Sequence, residues 1–294
     1  MTLVDDLRND FSRVFSDFVN RSWSDSKARL HGAIRYCLEG DGKRTRALLA
    51  LLICESYGRN PRLAFSSATA VEMVHAYSLA HDDLPCMDDD SMRRGRPSLH
   101  VAFDECTALL AGDAILADAF RVLVDEEFFS DAAFISLTDR SRLVRELALA
   151  SGGHGMVYGQ DRDMYWTGRN DFNLETLETI HRNKTGALIG AACAMGAISG
   201  GASHSDISAW REIGTLIGIA FQAVDDALDG STTLGKTPGK DLSQKKLTYM
   251  TLFARNQVMD FAREKTESAI ALIPSNTRSD RLIEFIGRLL SRQT

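Results

Sequence analysis

Proline is scarce in this 294-residue chain, with five residues: Pro61, Pro85, Pro97, Pro238 and Pro274. Short β-branched runs separated by turn residues are nearly absent, which excludes a β-sandwich or barrel. Paired cysteines are lacking as well. Cys37, Cys54, Cys86, Cys106 and Cys193 form no CxxC and fit no zinc spacing. An odd set of isolated cysteines reads as free thiols in a reducing compartment. Positive charge is in deficit, 34 Lys and Arg against 40 Asp and Glu, for a net charge of −6. That excludes a general nucleic-acid binder, which needs a basic face. The first residues carry Asp5, Asp6 and Asp10 where a signal peptide would be apolar, so the expected location is cytoplasmic. One stretch, Thr185 to Ser205, holds no Asp, Glu, Lys or Arg. It is mostly Ala, Gly and Ser, so the expectation is a buried helix packed closely against neighbours and no membrane span.

What the chain does have is helical periodicity. Residues 5–20 place Leu7, Phe11, Val14, Phe15 and Phe18 on one stripe. Residues 62–81, 104–125, 140–158, 174–200, 206–229 and 245–272 read the same way, and Lys43-Arg44-Thr45-Arg46 opens another apolar helix. With no repeat and no linker, the expectation is a single all-α domain over 1–294 built by helix packing.

Two acidic clusters interrupt this apolar pattern. The first, Asp82-Asp83-Leu84-Pro85-Cys86-Met87-Asp88-Asp89-Asp90, follows the helical segment 70–80. Carboxylates this dense repel one another unless a cation lies among them, and Mg²⁺ commonly bridges carboxylates to substrate phosphates. On an ideal helix Asp82 and Asp88 would lie about 240° apart. Pro85 disfavours helix at Leu84, so the helix should end there and let Asp88 return toward Asp82. The second cluster, Asp225-Asp226-Ala227-Leu228-Asp229, continues a strong helical pattern. Asp225 and Asp229 are one turn apart, and Gln222 joins their face.

Basic groups accompany these clusters: Lys43 and Arg46, Arg93-Arg94-Gly95-Arg96, Lys184, and Lys236, Lys240, Lys245 and Lys246. Arginine suits bidentate phosphate contacts and lysine supplies a point charge. Acidic clusters that hold Mg²⁺, beside cations that hold phosphate, point to a diphosphate substrate. His75 and His81 precede the first cluster, and His81 reads as a packed or hydrogen-bonded residue.

The chain resembles the short-chain trans-prenyltransferases, or polyprenyl synthetases, and most closely bacterial farnesyl diphosphate synthases. The motifs that carry the likeness run from about residue 40 to 250. They are Gly42-Lys43-Arg44-Thr45-Arg46, the run from His75 to His81 with the first cluster, Arg93-Arg94-Gly95, Gly112-Asp113, Gly159-Gln160, Lys184-Thr185-Gly186, Phe221-Gln222 with the second cluster, and Lys246-Leu247-Thr248-Tyr249. The resemblance implies an all-α isoprenoid-synthase-type helical bundle around a deep central cavity, usually as a homodimer. It implies head-to-tail condensation of isopentenyl diphosphate with dimethylallyl or geranyl diphosphate, using Mg²⁺ on Asp82, Asp88 and Asp225. Isopentenyl diphosphate would be held by Lys43, Arg46, His75 and Arg94. The allylic diphosphate would be held by Arg93, Lys184, Thr185, Gln222, Lys236 and Lys246, with Lys184, Thr185 and Gln222 at the reacting centre. Tyr77 and Ser78, five and four residues before Asp82, would set chain length, which implies farnesyl diphosphate as product. Geranylgeranyl diphosphate, or a non-catalytic subunit of a prenyltransferase heteromer, are the alternatives. Departures from the family pattern are Asp41, Thr45, Ala47, Ala227 and a loop to Lys236 about three residues short.

A competing motif is Gly230-Ser231-Thr232-Thr233-Leu234-Gly235-Lys236-Thr237, which matches GxxxxGK[ST]. That phosphate-binding loop functions only between a strand and a helix. Here an acidic helical pattern precedes it and Pro238-Gly239 follows.

Overall fold

A computed structural model describes residues 3–40, 42–125, 135–169, 171–228 and 247–290. Its α-helices are α1 (Leu3–Ser22), α2 (Arg29–Leu38), α3 (Thr45–Ser56), α4 (Phe65–Asp82), α5 (Leu99–Ala102), α6 (Glu105–Val124), α7 (Leu137–Ser151), α8 (Met156–Trp166), α9 (Leu174–His181), α10 (Ala187–Ser199) and α11 (His204–Leu228). Two more follow: α12 (Arg255–Ala271) and α13 (Asp280–Leu290). The only strands among the described residues are Met92–Arg93 and Arg96–Pro97, paired antiparallel. The all-α expectation is met.

Burial follows composition. α1 buries Phe11, Phe15 and Phe18 from its stripe and leaves its acidic side outside. α3, α4 and α10 are apolar nearly all round, as befits core helices, and α10 packs against α3, α4, α7 and α11. α10 is the uncharged stretch noted above. Its glycines explain its composition: a Cβ on Gly196 would lie 2.4 Å from the Ala50 carbonyl oxygen, and one on Gly214 of α11 would lie 2.7 Å from Gly190 Cα. Backbones this close admit no side chain. No helix among the described residues is long and apolar enough to cross a membrane.

Three boundaries differ from the periodicity reading. The predicted helix 140–158 breaks between α7 and α8, because the chain folds back at Gly155, where a Cβ would sit 2.2 Å from the Ala150 carbonyl. The predicted helix 174–200 is interrupted by a π-helical turn, Arg182–Gly186. The predicted helix 245–272 begins as α-helix only at Arg255. Ahead of it Tyr249 lies in a 3₁₀ turn, its N–H bound to Asp226 at 2.9 Å and its ring stacked on His181. The helix α2 was not apparent from periodicity.

Candidate active site

The start of α3, the second half of α4, the 83–97 loop, α6, α8, the π turn and α11 enclose a cavity of about 790 Å³. Its walls are of two kinds. Arg46, His75, Asp82, Arg93, Arg94, Lys184, Thr185, Gln222 and Asp225 bring charge and hydrogen bonds. Leu79, Leu84, Met87, Leu109, Met156, Val157, Met164 and Phe221 bring apolar surface. A cavity so divided suits a ligand with an anionic head and a hydrocarbon tail.

The first acidic cluster folds as Pro85 dictates. α4 ends at Asp82, and the loop doubles back so that Asp88 N–H donates to the Asp82 carbonyl at 2.9 Å. The aspartates then divide. Asp83 is buried and forms a fork with Arg93, whose Nε lies 3.0 and 3.1 Å from its two oxygens. Asp90, also buried, stands 3.9 Å from the same guanidinium. Burial alone would lower the Arg93 pKa, and Asp83 with Asp90 reverses this and raises it. Arg93 therefore lines the cavity as one half of a fixed ion pair.

Arg94 occupies the tip of the two-residue hairpin. Its φ of 52° and the 75° of Gly95 give the left-handed pair that such a turn requires. From this turn the guanidinium lies against Gly42, where a Cβ would be 3.0 Å from Arg94 Nη1, and Nη2 is 3.3 Å from His75 Nε2. His75 is held neutral: burial, then Arg46, Arg94, Arg93 and Arg44, drive its pKa well below the ordinary value. Neutral His75 can accept from Arg94. Burial likewise lowers the pKa values of Arg46 and Arg94; Glu72 opposes this at both, while Arg94 lowers Arg46 further and Arg44 and Arg93 lower Arg94 further. Arg46 Nε is buried with no hydrogen-bond partner among the described residues. Arg44, by contrast, is turned inward to Glu72 at 3.4 Å and to the Leu38 and Gly40 carbonyls. Lys43 is exposed and is not among the residues lining the cavity.

The π turn presents the next two groups, and wider turns of this kind recur at functional sites. Lys184 Nζ lies 2.5 Å from Asp163 Oδ2 of α8. Burial would lower the Lys184 pKa, but Asp163, Asp82 and Asp88 together raise it, so the ammonium stays charged. Thr185 Oγ1 donates to Gln222 Oε1 at 3.2 Å, Gln222 Nε2 donates to Asp226 Oδ1 at 2.9 Å, and Asp226 Oδ2 accepts from Tyr249 N–H. This relay ties the π turn to α11 and to the segment after it.

Tyr77 and Ser78 also line the cavity. Ser78 Oγ donates to the His75 carbonyl at 3.0 Å. Tyr77 is 5% exposed, its hydroxyl is buried with no partner among the described residues, and burial followed by Asp82 pushes its pKa up to about 12. Its ring meets His81 edge to face. His81 Nε2 is 3.0 Å from the Leu109 carbonyl and rests on Gly112, where a Cβ would come within 2.0 Å of it. That accounts for Gly112 and keeps His81 a packed, hydrogen-bonded residue.

The family profile described as polyprenyl synthetase matches residues 27–285. The chain belongs to the polyprenyl synthetase family. Farnesyl diphosphate synthase of Micrococcus luteus is 39% identical over 287 residues, covering 95% of this chain and 96% of that protein. The chloroplastic geranylgeranyl pyrophosphate synthase 7 of Arabidopsis thaliana is 45% identical over 239 residues. That match covers 80% of this chain and 67% of the plant protein, so the chain spans about two thirds of that relative's length. An apo FPP/GFPP synthase from Zymomonas mobilis superposes with TM-score 0.80 at 32% identity, covering 96% and 98% of the two chains. A geranyltransferase from Helicobacter pylori, complexed with magnesium and isoprenyl diphosphate, does so with TM-score 0.80 at 27% identity over 99% and 97%. As a polyprenyl synthetase the chain is a prenyltransferase with the all-α fold of these neighbours.

Whether such a site fits a divalent ion can be tested on its donors. Among the described residues no three His, Cys, Asp or Glu side chains are arranged as a ready-made cage for a metal ion. A cage is not what Mg²⁺ needs: it keeps waters and is usually held by one or two carboxylates plus substrate phosphates. Asp82 and Asp225 both line the cavity, and Asp88 is close enough to act on Lys184. That hard-oxygen donor set fits. Asp229, Lys236, Lys240, Lys245 and Lys246 lie outside the described residues, as does the GxxxxGK[ST] match. The segment before that match is the helix α11, and no strand precedes it.

Four residues of this polyprenyl synthetase site had no assigned role in the sequence reading. Asp83 anchors Arg93, Asp163 anchors Lys184, Asp226 anchors Gln222, and Gln160 lines the cavity. Asp83 and Asp226 were visible as second members of their clusters. Their inward direction follows from helix phase, since a neighbour about 100° round the helix cannot share a face. Asp163 lies four residues beyond the Gly159 motif, and nothing in its spacing marks it.

Proposed function

We propose that this prenyltransferase extends an allylic diphosphate, dimethylallyl or geranyl, by head-to-tail addition of isopentenyl diphosphate, with farnesyl diphosphate as the main product. The observation that carries the reading is one cavity holding a cationic and carboxylate rim together with apolar walls and the buried ring of Tyr77. Arg46, His75 and Arg94 bind the isopentenyl diphosphate head, with Lys43 reaching in from the surface. Lys184 and Arg93, with Lys236 and Lys246, bind the allylic diphosphate. Asp82, Asp88 and Asp225 would hold Mg²⁺, which when bound supplies Lewis-acid neutralisation of the leaving diphosphate.

The reaction asks the chain's own groups for charge placement and dryness. The allylic C–O bond breaks and its electron pair leaves with the diphosphate, whose growing charge Lys184 and Arg93 stabilise from fixed positions. The allylic cation left behind faces the Thr185–Gln222 pair and walls that exclude water. The isopentenyl double bond attacks its C1 and forms the new C–C bond. The resulting tertiary cation loses a proton to a diphosphate oxygen and restores an alkene. No nucleophilic side chain is required.

The reading further comprises a homodimer, one domain over 1–294 and a cytoplasmic setting. The exposed Val101 on α5 and Leu110 on α6 support the first, as residues that a second copy would cover. The five free cysteines support a reducing setting. The test is product analysis. Isopentenyl diphosphate with each allylic diphosphate and Mg²⁺ should give a fifteen-carbon product. Tyr77→Ala removes the floor and should lengthen it, since the helix rise sets Tyr77 about 7.5 Å back from Asp82. A twenty-carbon product from the wild type selects the geranylgeranyl reading. No transfer at all selects the non-catalytic subunit. Unchanged length in Tyr77→Ala removes that ring as the floor.

A further inference from the structure

Gln160 carries an unexplained feature. Its side chain lines the cavity, and both its amide atoms, Nε2 and Oε1, are buried without a hydrogen-bond partner among the described residues. A carboxamide has two donors and an acceptor to satisfy. Leaving them unmet in a buried place is destabilising, so an orphan of this kind calls for a ligand group.

Its place on α8 narrows that ligand. The cavity face of α8 is Met156, Val157, Gln160, Asp161 and Met164, and Gln160 is its one neutral hydrogen-bonding side chain. The preceding residue sets the depth. A Cβ on Gly159 would stand 2.1 Å from the backbone nitrogen of Lys184, so α8 touches the π turn at this point. Gln160 therefore enters the cavity beside Lys184 and Thr185, with the apolar wall of Met156 and Val157 on one side and the Lys184–Asp163 pair on the other. Thr185 and Gln222 satisfy each other. Gln160 does not share in that relay and keeps its carbonyl oxygen unspent.

We propose that Gln160 is a further charge-stabilising residue for prenyl transfer, its carboxamide oxygen turned to the allylic cation and its amide N–H groups to the diphosphate leaving it. This rests on the prenyl-transfer reading above. A preorganised dipole aimed at developing charge lowers the barrier without tightening the ground state, because it interacts more strongly with the transition state. The residue is kept polar at a cost in stability, which is the usual trade at such sites.

The experiment compares the wild type with Gln160→Met, which keeps length and removes both polar atoms, and with Gln160→Asn, which keeps the amide but draws it back. Three quantities are measured: kcat, the dissociation constant of an unreactive allylic thiolodiphosphate, and that of an ammonium analogue of the allylic cation given with inorganic diphosphate. Gln160→Met should lower kcat about 10- to 100-fold and weaken the ammonium analogue by a similar factor. The thiolodiphosphate should stay within about twofold, and Tm should hold or rise as a buried orphan is removed. Gln160→Asn should fall between. Equal weakening of both analogues, or loss of kcat together with a fall in Tm, would assign Gln160 to binding or to structure and overturn the proposal. Unchanged kcat in an active background overturns it as well. A wild type without prenyl transfer instead overturns the reading beneath it, and the two failures are thereby distinct.

Discussion

The contact between α8 and the π turn can be tested with one methyl group. In Gly159→Ala the new Cβ would lie 2.1 Å from Lys184 N, 2.6 Å from Lys184 Cα and 2.7 Å from Asn183 C. All three are backbone atoms, so no side chain can swing away. Ordinary contact begins at 3.4 Å, which leaves the methyl short by 1.3 Å. The helix and the turn must separate by about that much, and Lys184 with Thr185 moves with the turn. Overpacking of this size costs about 1–3 kcal/mol, which a domain holding about 5–15 kcal/mol survives. The functional loss should be larger in proportion, because a misplacement of about 1 Å at a reacting centre can cost about 100-fold. The assay is kcat at saturating isopentenyl and allylic diphosphate, beside Tm and far-ultraviolet circular dichroism. Gly153→Ala is the control, since a Cβ there meets nothing within 4 Å. The expectation is a folded Gly159→Ala protein with kcat down about 100-fold and a control near wild type. A folded Gly159→Ala protein within about threefold of wild-type kcat would refute the argument that this glycine sets the position of Lys184.

Asp82→Ala and Asp225→Ala should each cut turnover by orders of magnitude with the helical spectrum kept; chelation should abolish wild-type activity and Mg²⁺ restore it, and near-normal turnover in either variant sinks the metal assignment. Arg94→Ala should raise KM for isopentenyl diphosphate. Arg93→Ala strands buried Asp83 and should cost about 3–5 kcal/mol, so Arg93→Lys is the variant in which to read the allylic KM; if both arginines move the same KM, the division of the pair is wrong. His181 is buried, and burial first of all lowers its pKa from 6.5 to about 4. The unfolded chain therefore takes up the proton first as pH falls. Stability should be full above about pH 6.5 and decline toward pH 4 by about 3 kcal/mol. His181→Phe, which keeps a ring against Tyr249, should flatten that slope in denaturant titrations, and an unchanged slope removes His181 as its source.

Much of this arrangement was legible before any coordinates. The stripe through Phe11, Phe15 and Phe18 gave α1, the Ala/Gly composition of 187–199 gave a close-packed core helix, and Pro85 gave the return of Asp88 to Asp82. These are local rules, carried by side-chain period, residue size and a missing N–H. The π turn at Lys184 was not legible, because its extra residue per turn goes with a contact made to another helix, where the turn lies against the backbone at Gly159. The break at Gly155 and the unwound stretch around Tyr249 are of the same kind. One is forced by a backbone contact and the other by the buried carboxylate of Asp226, and periodicity sees neither. Most of the polar rim was found by motif, while its supports, Asp83 and Asp163, were passed over. A support residue needs only to meet its partner in space, and so leaves no spacing to read.

The supports also explain why the cavity's cations differ. Arg93 and Lys184 each have a buried carboxylate at bonding distance. Their charges are matched before any substrate arrives, and their positions are fixed. Arg46 is half-buried and Arg94 stands at the more exposed hairpin tip, each with a depressed pKa and no hydrogen-bonded carboxylate among the described residues. A partly desolvated charge without a bonded carboxylate gains when an anion comes. Matched cations suit a head group whose charge grows during reaction, where position must be set in advance. Unmatched ones suit a head group that is anionic on arrival and leaves the chemistry unchanged, because relief of their repulsion favours its binding. The two diphosphates of a head-to-tail condensation differ in this respect. The allylic one departs, and the isopentenyl one is carried through intact. On the assignment proposed above, with Arg93 and Lys184 at the allylic head group and Arg46 and Arg94 at the isopentenyl one, the division of cations in this cavity follows that difference.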